Sequence, residues 1–290
     1  MLLPFKEGKL LSELSTFCIG GPARYFTEAH TIEDLEEIMA HAHAEKLPVL
    51  VVGKGSNCLF DDAGFDGLCI LNKIQFCQQD EGVVDVGAGY SFSLLGVQTA
   101  RRGWAGLEFA SGIPATVGGA IYMNAGANGA ETFDTLQEVT YITETGKREL
   151  LKRADLTWSY RTSIFQQRKG AIAAAKFILS PSAEARQKQL KIISYRTATQ
   201  PYSDASAGCM FRNPPSQAAG ALIEQCGLKG TAVGGAEVST LHANFIVNKG
   251  NATAQEVLAL TELVQKTVRE KMGVELEREV RYVSSRSPLS

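Results

Sequence analysis

From Gly103 to Gly129 the chain reads GWAGLEFASGIPATVGGAIYMNAGANG, a long run dense in Gly, Ala, Ser and Asn and nearly free of charge. A solvated linker of this length would be polar and charged, so the run belongs against the body of the protein. Its small residues let a backbone press closely on something flat or bulky, and hinge or close strand packing is the plain alternative. A second glycine-rich segment, Gly53-Lys54-Gly55-Ser56-Asn57, follows the apolar run PVLVVG. Successive N–H groups in such a turn form an anion-binding concavity and Lys54 adds charge, which suits a pyrophosphate; a tight surface turn is the other reading. Neither Walker A nor G-x-G-x-x-G spacing is present. Two close-approach segments in one amino-terminal half fit a dinucleotide lying in a groove.

The chain has 290 residues, too long for one ordinary domain, so two or three compact units are expected. A formal charge of -2 argues against a nucleic-acid partner, which would need a basic stripe. No apolar window is long enough to span a membrane, and Pro4, Lys6 and Glu7 interrupt the first apolar run too early for a signal peptide. A cytoplasmic protein is the expectation. Its six cysteines, Cys18, Cys58, Cys69, Cys77, Cys209 and Cys226, are scattered, with no zinc spacing and no metal site expected.

Thr31-Ile32-Glu33-Asp34 reads as a helix-starting capping box, and Leu35, Ile38, Met39 and Ala42 follow at helical spacing. PVLVVG, GLCIL, VVDVGAG and AIAAAKFIL read as strands, SLLGVQTARRGW as a helix, and VTYITETGKREL as a hairpin about Thr145-Gly146. A helix over SAEARQKQLKIISYRTATQ ends at Pro201, where the composition shifts to an α+β unit. There AAGALIEQC reads as a helix, GGAEVST and HANFIVN as strands, and TAQEVLALTELVQKTVREKM as a helix with Thr253 and Glu256 as capping box. VELEREVRYV reads as one strand with Leu276, Arg278, Val280 and Tyr282 on one face. SAGCMFRNP, Ser206 to Pro214, reads as too irregular for a helix and too short for a core strand.

Four features could carry chemistry. Arg161, beside Tyr160 and Trp158 in SYRTSIF, suits a bidentate carboxylate clamp or a surface ion pair. Glu279 lies on a polar face, where a solvated role is the plain reading. Cys209 has three readings: a small buried hydrophobe, a thiolate nucleophile with His242 as its base, or a neutral thiol that donates a proton. Local residues leave these open.

Taken in order, STFCIGGPAR, GKGSNCLFDDAGFDGLCI, GLEFASGIPATVGGAIYMNAGANGAE, YRTSIF, SAGCMFRNP, GGAEVSTLHANFIVN and EREVR resemble the UDP-N-acetylenolpyruvoylglucosamine reductase (MurB) family, over Ser15 to Arg281. The resemblance implies an α+β fold: a two-subdomain FAD-binding half of the vanillyl-alcohol-oxidase (PCMH) type, residues 1–72 and 73–182, then a substrate-binding α+β domain, residues 183–290. The length matches the shorter, type II branch. FAD is the implied cofactor and NADPH the co-substrate, with UDP-N-acetylglucosamine enolpyruvate as the group reduced. A monomer is expected, with no nucleic-acid or membrane partner.

Carried over residue by residue, Gly53, Lys54, Gly55, Ser56 and Asn57 would cradle the FAD pyrophosphate. Ser111, Gly112, Ile113, Thr116, Gly118, Gly119, Asn124, Ala125 and Gly126 would line the cofactor. Arg161 and Glu279 match the pair that polarises the substrate carboxylate, and Cys209 the general acid, which is serine in many members. Tyr160, Arg212, Asn213, His242 and Asn244 are implied on the substrate side. Ala115 stands where the motif usually reads glycine, and Asn128 where an aromatic is common. A flavin oxidase on the same fold, with Cys58 as the position to check for a covalent anchor, and a non-catalytic nucleotide-binding protein are the rival readings.

Overall fold

Thr31 starts helix α1 (Ile32–Ala44) as a capping box: its hydroxyl accepts the Asp34 N–H at 3.0 Å, and the Asp34 carboxylate accepts the Thr31 N–H at 3.0 Å. Leu35, Ile38, Met39 and Ala42 form the buried face of that helix. The structure, a computed structural model, describes residues 5–285. Two compact units make up the chain, and they interleave in sequence. The first comprises Met1–Lys6, Phe26–Lys54 and Leu68–Arg196; the second comprises Glu7–Tyr25, Gly55–Gly67 and Thr197–Ser290.

In the first unit, the strand Val49–Val52 runs parallel to Leu68–Leu71 of the strand Phe65–Asn72. Five further strands form an antiparallel sheet in the spatial order Arg148–Lys152, Leu136–Thr143, Gly170–Ile178, Val83–Gly87, Cys77–Asp80. The expected hairpin is there, with Ile142 opposite Arg148. Helices α2 (Phe92–Arg101) and α3 (Val117–Tyr122) also belong to this unit. Its core includes Phe92, Phe109, Phe133, Tyr141, Phe165 and Phe177, all fully buried. Helix α4 (Ala185–Thr199) stops before Gln200-Pro201, as proline's restriction on its predecessor requires.

The second unit holds an antiparallel sheet in the order Ala205–Cys209, Phe245–Asn248, Ala236–Val238, Ala232–Val233. Helices α5 (Ala219–Gln225) and α6 (Ala254–Met272) pack with it through Leu222, Ile223, Val257, Leu260, Val264 and Val268. Thr253 and Glu256 form the capping box of α6.

The Ser206–Cys209 stretch is neither helix nor core strand: Ala205–Cys209 is the edge strand of the sheet, with a register shift between Ser206 and Cys209 that explains its irregular look. One expectation is corrected. VELEREVRYV is not one strand, because the chain changes partners midway. Glu277 and Glu279 exchange backbone bonds with Arg212 and Met210, whereas Arg281 donates to the Asn57 carbonyl at 3.0 Å and begins the strand Arg281–Val283 parallel to Cys58–Phe60. The turn between the two pairings buries Leu276 and Val280 and exposes Arg278, so the simple alternation fails.

Candidate active site

The loop after Val49–Val52 packs closely on the Thr116 side chain, since a Cβ added at Gly53 would overlap its hydroxyl. Thr116 caps α3, accepting the Gly119 N–H at 3.2 Å, while Val117 and Gly118 donate to the carbonyls of Tyr90 and Ala88 at 2.9 and 2.8 Å. The first-turn amides of α3 are therefore committed within the protein. The amides of Lys54, Gly55 and Ser56 are different: among the described residues they donate to no protein atom. Gly55 is buried with φ +58°, the left-handed turn that aims successive N–H groups to one side. This loop can receive an anion.

Ser111 is fully buried, and its hydroxyl has no hydrogen-bond partner among the described residues. An unpaired buried hydroxyl is costly, so it marks a place for a polar ligand atom. Gly112 donates to the Ser93 hydroxyl at 2.8 Å. At Gly119 an added Cβ would meet only Thr116, at 3.4 Å, which leaves room for a flat group. The free amides of the loop fit a phosphate; within the first unit, the orphaned Ser111 hydroxyl and the open Gly119 fit a polar atom and a planar ring, groups that FAD carries.

Asn124 is buried and ties this loop to a hairpin. Its Nδ2 donates to the Ser159 carbonyl at 3.0 Å, and its Oδ1 accepts the Phe133 N–H at 3.3 Å. The hairpin pairs Trp158–Ser159 with Thr162–Ser163, so Tyr160 and Arg161 form its two-residue turn. Arg161 has φ +57°, donates Nη2 to the Gly126 carbonyl at 2.8 Å and lies over the Tyr160 ring at 4.9 Å. The guanidinium is thus held by a carbonyl and an aromatic face. The Ala125 carbonyl accepts the Thr132 hydroxyl at 2.7 Å, which closes the neighbouring pairing of Gly126–Ala127 with Ala130–Glu131.

In the second unit the backbone of Glu279 pairs with Met210, the residue after Cys209. The Glu279 N–H donates to the Met210 carbonyl at 2.8 Å, and Asn57 Nδ2 donates to the Glu279 carbonyl at 3.2 Å. Both Cys209 and Glu279 are half-buried. Asn213 Oδ1 accepts the Ala219 N–H at 3.0 Å at the start of α5, and Arg212 lies 3.9 Å from Glu277. His242 Nδ1 accepts the Asn244 N–H at 3.2 Å, which puts the ring proton on Nε2, and burial pulls its pKa below the ordinary value. Asn244 itself is buried, with Oδ1 accepting from the Phe211 N–H and Nδ2 donating to the Phe211 carbonyl.

Sequence reasoning missed the bonds from Asn57 to Glu279 and from Asn244 to Phe211, since partners so far apart in the chain leave no local pattern. It also passed over Glu108, a buried carboxylate that accepts the Gly106 N–H at 2.6 Å and has Lys188 at 3.6 Å. Cys58 does not suit a covalent flavin anchor: burial pushes its thiol up to about 11, away from the reactive thiolate. Among the described residues no group of His, Cys, Asp and Glu could hold a metal, the six cysteines form no disulfide, and no helix is long and apolar enough to cross a membrane.

Residues 23–151 match the family described as FAD binding domain, and residues 200–283 match UDP-N-acetylenolpyruvoylglucosamine reductase, C-terminal domain. The chain is 60% identical over 280 residues to the UDP-N-acetylenolpyruvoylglucosamine reductase of Protochlamydia amoebophila, covering 96% of this chain and 94% of that one. Against the protein of the same name from Chlamydia muridarum it is 46% identical over 281 residues, covering 96% and 94%. The crystal structure of UDP-N-acetylenolpyruvylglucosamine reductase (MurB) from Thermus caldophilus matches with a TM-score of 0.82 at 36% identity, covering 96% of this chain and 99% of that one. Matched to such relatives along nearly its whole length, and with an FAD-binding domain in its N-terminal half, the chain belongs to the UDP-N-acetylenolpyruvoylglucosamine reductase family, FAD-dependent oxidoreductases of peptidoglycan synthesis.

Proposed function

We propose that this chain reduces UDP-N-acetylglucosamine enolpyruvate to UDP-N-acetylmuramate with electrons from NADPH, as a cytoplasmic monomer. Residues 1–72 and 73–182 supply the cofactor surface and residues 183–290 the substrate surface, although Glu7–Tyr25 and Gly55–Gly67 pack with the C-terminal unit. The amides of Lys54, Gly55 and Ser56 would hold the pyrophosphate and the Ser111 hydroxyl a polar atom of the cofactor. When bound there, FAD would supply the two-electron hydride chemistry that links NADPH to the enolpyruvyl methylene carbon.

The residues of the chain then manage charge and protons. As hydride arrives, negative charge builds on C2 and its carboxylate. The Arg161 guanidinium, already oriented by Gly126 and Tyr160, pairs with that carboxylate; Glu279 shares in polarising it. Cys209 gives its thiol proton to C2, so the C=C bond becomes a single bond with one new C–H at each carbon. The thiolate left behind recovers a proton from solvent. A thiol, with an ordinary pKa of about 8.5, is protonated at neutral pH yet a stronger acid than a serine hydroxyl. Tyr160, Arg212, Asn213 and His242 are the substrate-side groups.

The observation that supports this reading is the Glu279 N–H to Met210 carbonyl bond, which joins the backbone of Glu279 to that of the residue next to Cys209. Its test is an anaerobic flavin spectrum. NADPH should bleach the bound flavin, and the enolpyruvyl sugar should restore the oxidised band. A reduced protein that only oxygen reoxidises would make it an oxidase instead.

A further inference from the structure

We infer that Asn244 is the positioning residue of the Cys209–Glu279 pair and not a contact of substrate. The inference rests on the proposed roles of those two residues.

The edge strand has lost its regular ladder where Cys209 sits. Ser206 is opposite Val247 and Cys209 is opposite Phe245, so the residues between them are bulged out of register. The partner strand begins at Phe245, and beyond that point its ladder no longer holds Met210 and Phe211, whose other edge pairs with Glu279 and Arg278. Asn244 replaces it. Its main-chain carbonyl accepts the Met210 N–H at 2.7 Å, its Oδ1 accepts the Phe211 N–H at 2.9 Å, and its Nδ2 donates to the Phe211 carbonyl at 2.8 Å. A carboxamide offers a donor and an acceptor side by side, as a neighbouring strand would.

The second half of the link runs through Met210. With its N–H held by Asn244, Met210 presents its carbonyl to the Glu279 N–H at 2.8 Å. The Asn244 carboxamide therefore fixes Phe211 and its main-chain carbonyl fixes Met210, so one buried residue holds the two residues after Cys209 and, through Met210, the backbone of Glu279. At 2% exposure, and with both ends of its amide engaged by Phe211, Asn244 has little left to offer a ligand. Substrate-side asparagines need a free end.

The test is a double-mutant cycle on the FAD-loaded protein by anaerobic stopped flow, with the parent, N244D, C209A and C209A/N244D. Asp keeps the acceptor and removes the donor. Flavin reduction by NADPH should stay near the parent rate in all four. Reoxidation by the enolpyruvyl sugar should slow by about 10²-fold in N244D, the loss a small misplacement can cause, with the half-saturating sugar concentration unchanged. In the C209A background N244D should cost at most about twofold more, because a positioning residue has nothing left to position. Lowering the pH should partly rescue N244D, since a protonated carboxyl donates to the Phe211 carbonyl again.

A raised half-saturating concentration with an unchanged limiting rate would make Asn244 a substrate contact. Full additivity of the two losses would make it a packing residue. If C209A itself reoxidises at the parent rate, the proton-donor role falls and the inference with it; a slow C209A with additive losses sinks the inference alone. Should N244D fail to retain FAD, N244Q, with both groups on a longer arm, enters the same cycle with the same outcomes.

Discussion

Glu279 donates its backbone N–H to the carbonyl of Met210 at 2.8 Å, across from the residue that follows Cys209. Two positions lower in the chain the relationship repeats, with the Arg212 N–H donating to the Glu277 carbonyl at 2.9 Å. The backbone of Glu279 and that of the residues following Cys209 are thus fixed to each other by main-chain bonds.

From this follows the effect of removing the thiol. Cys209→Ala should leave flavin reduction by NADPH intact and slow reoxidation by the enolpyruvyl sugar by about 10²- to 10⁴-fold, the usual worth of general acid catalysis. Cys209→Ser should keep substantial activity. Single-turnover kinetics separate the two half-reactions. An equal loss in both would show that Cys209 is there for packing.

Cys58 bears on how the flavin is held. Burial pushes its thiol up to about 11, so at pH 8 only about one molecule in a thousand carries the thiolate, the form that attacks. The flavin should therefore leave with the supernatant when the protein is precipitated with acid. Iodoacetamide should modify the exposed Cys18 well before Cys58, with the Cys58 rate rising towards pH 11. Flavin that stays in the pellet, on a peptide containing Cys58, would overturn this and favour the oxidase reading.

How much of this could be read from the chain depends on the distance between partners. The capping boxes at Thr31 and Thr253, whose partners lie three residues on, were legible, as was the hairpin about Thr145-Gly146. VELEREVRYV was not, because its fate is decided by two distant segments, Met210–Arg212 and Cys58–Phe60, that share it between them. The edge-strand character of Ala205–Cys209 was hidden for a related reason: a bulge breaks the alternation by which strands are recognised. At the site, glycine-rich loops announced close approach, yet which amides stay unpaired, at Lys54, Gly55 and Ser56 and not in α3, needed coordinates. Nor could a pattern reveal that Gly55–Gly67 packs with the C-terminal unit.

His242 gives a pH dependence with a definite sign. Burial holds its folded pKa below the ordinary 6.5, and the neutral ring is needed, since Nδ1 must accept the Asn244 N–H. As pH falls below 6.5 the unfolded chain takes up the proton first, so stability present above that value is lost progressively through the lower folded pKa. His242→Asn keeps an acceptor and removes the titration. Its urea midpoint should depend less on pH below 6.5 than the parent's. Parallel curves for the two proteins would mean that His242 titrates alike in the folded and unfolded chain.

Gly208 sits in the bulge just before Cys209 with φ +80°, where a side chain is disfavoured whatever the space. Space is not the obstacle: an added Cβ would meet nothing nearer than the Ser56 carbonyl oxygen at 3.8 Å. The cost of Gly208→Ala is then conformational, about 1–2 kcal/mol for forcing an L-residue into the left-handed region. Asparagine tolerates that region better than alanine, so Gly208→Asn should be the milder change despite its larger side chain. Urea unfolding of the three proteins ranks them. If Gly208→Asn is the worse of the two, steric crowding decides and the backbone argument is wrong; if it is milder, the bulge that presents Cys209 is maintained by the left-handed turn at Gly208.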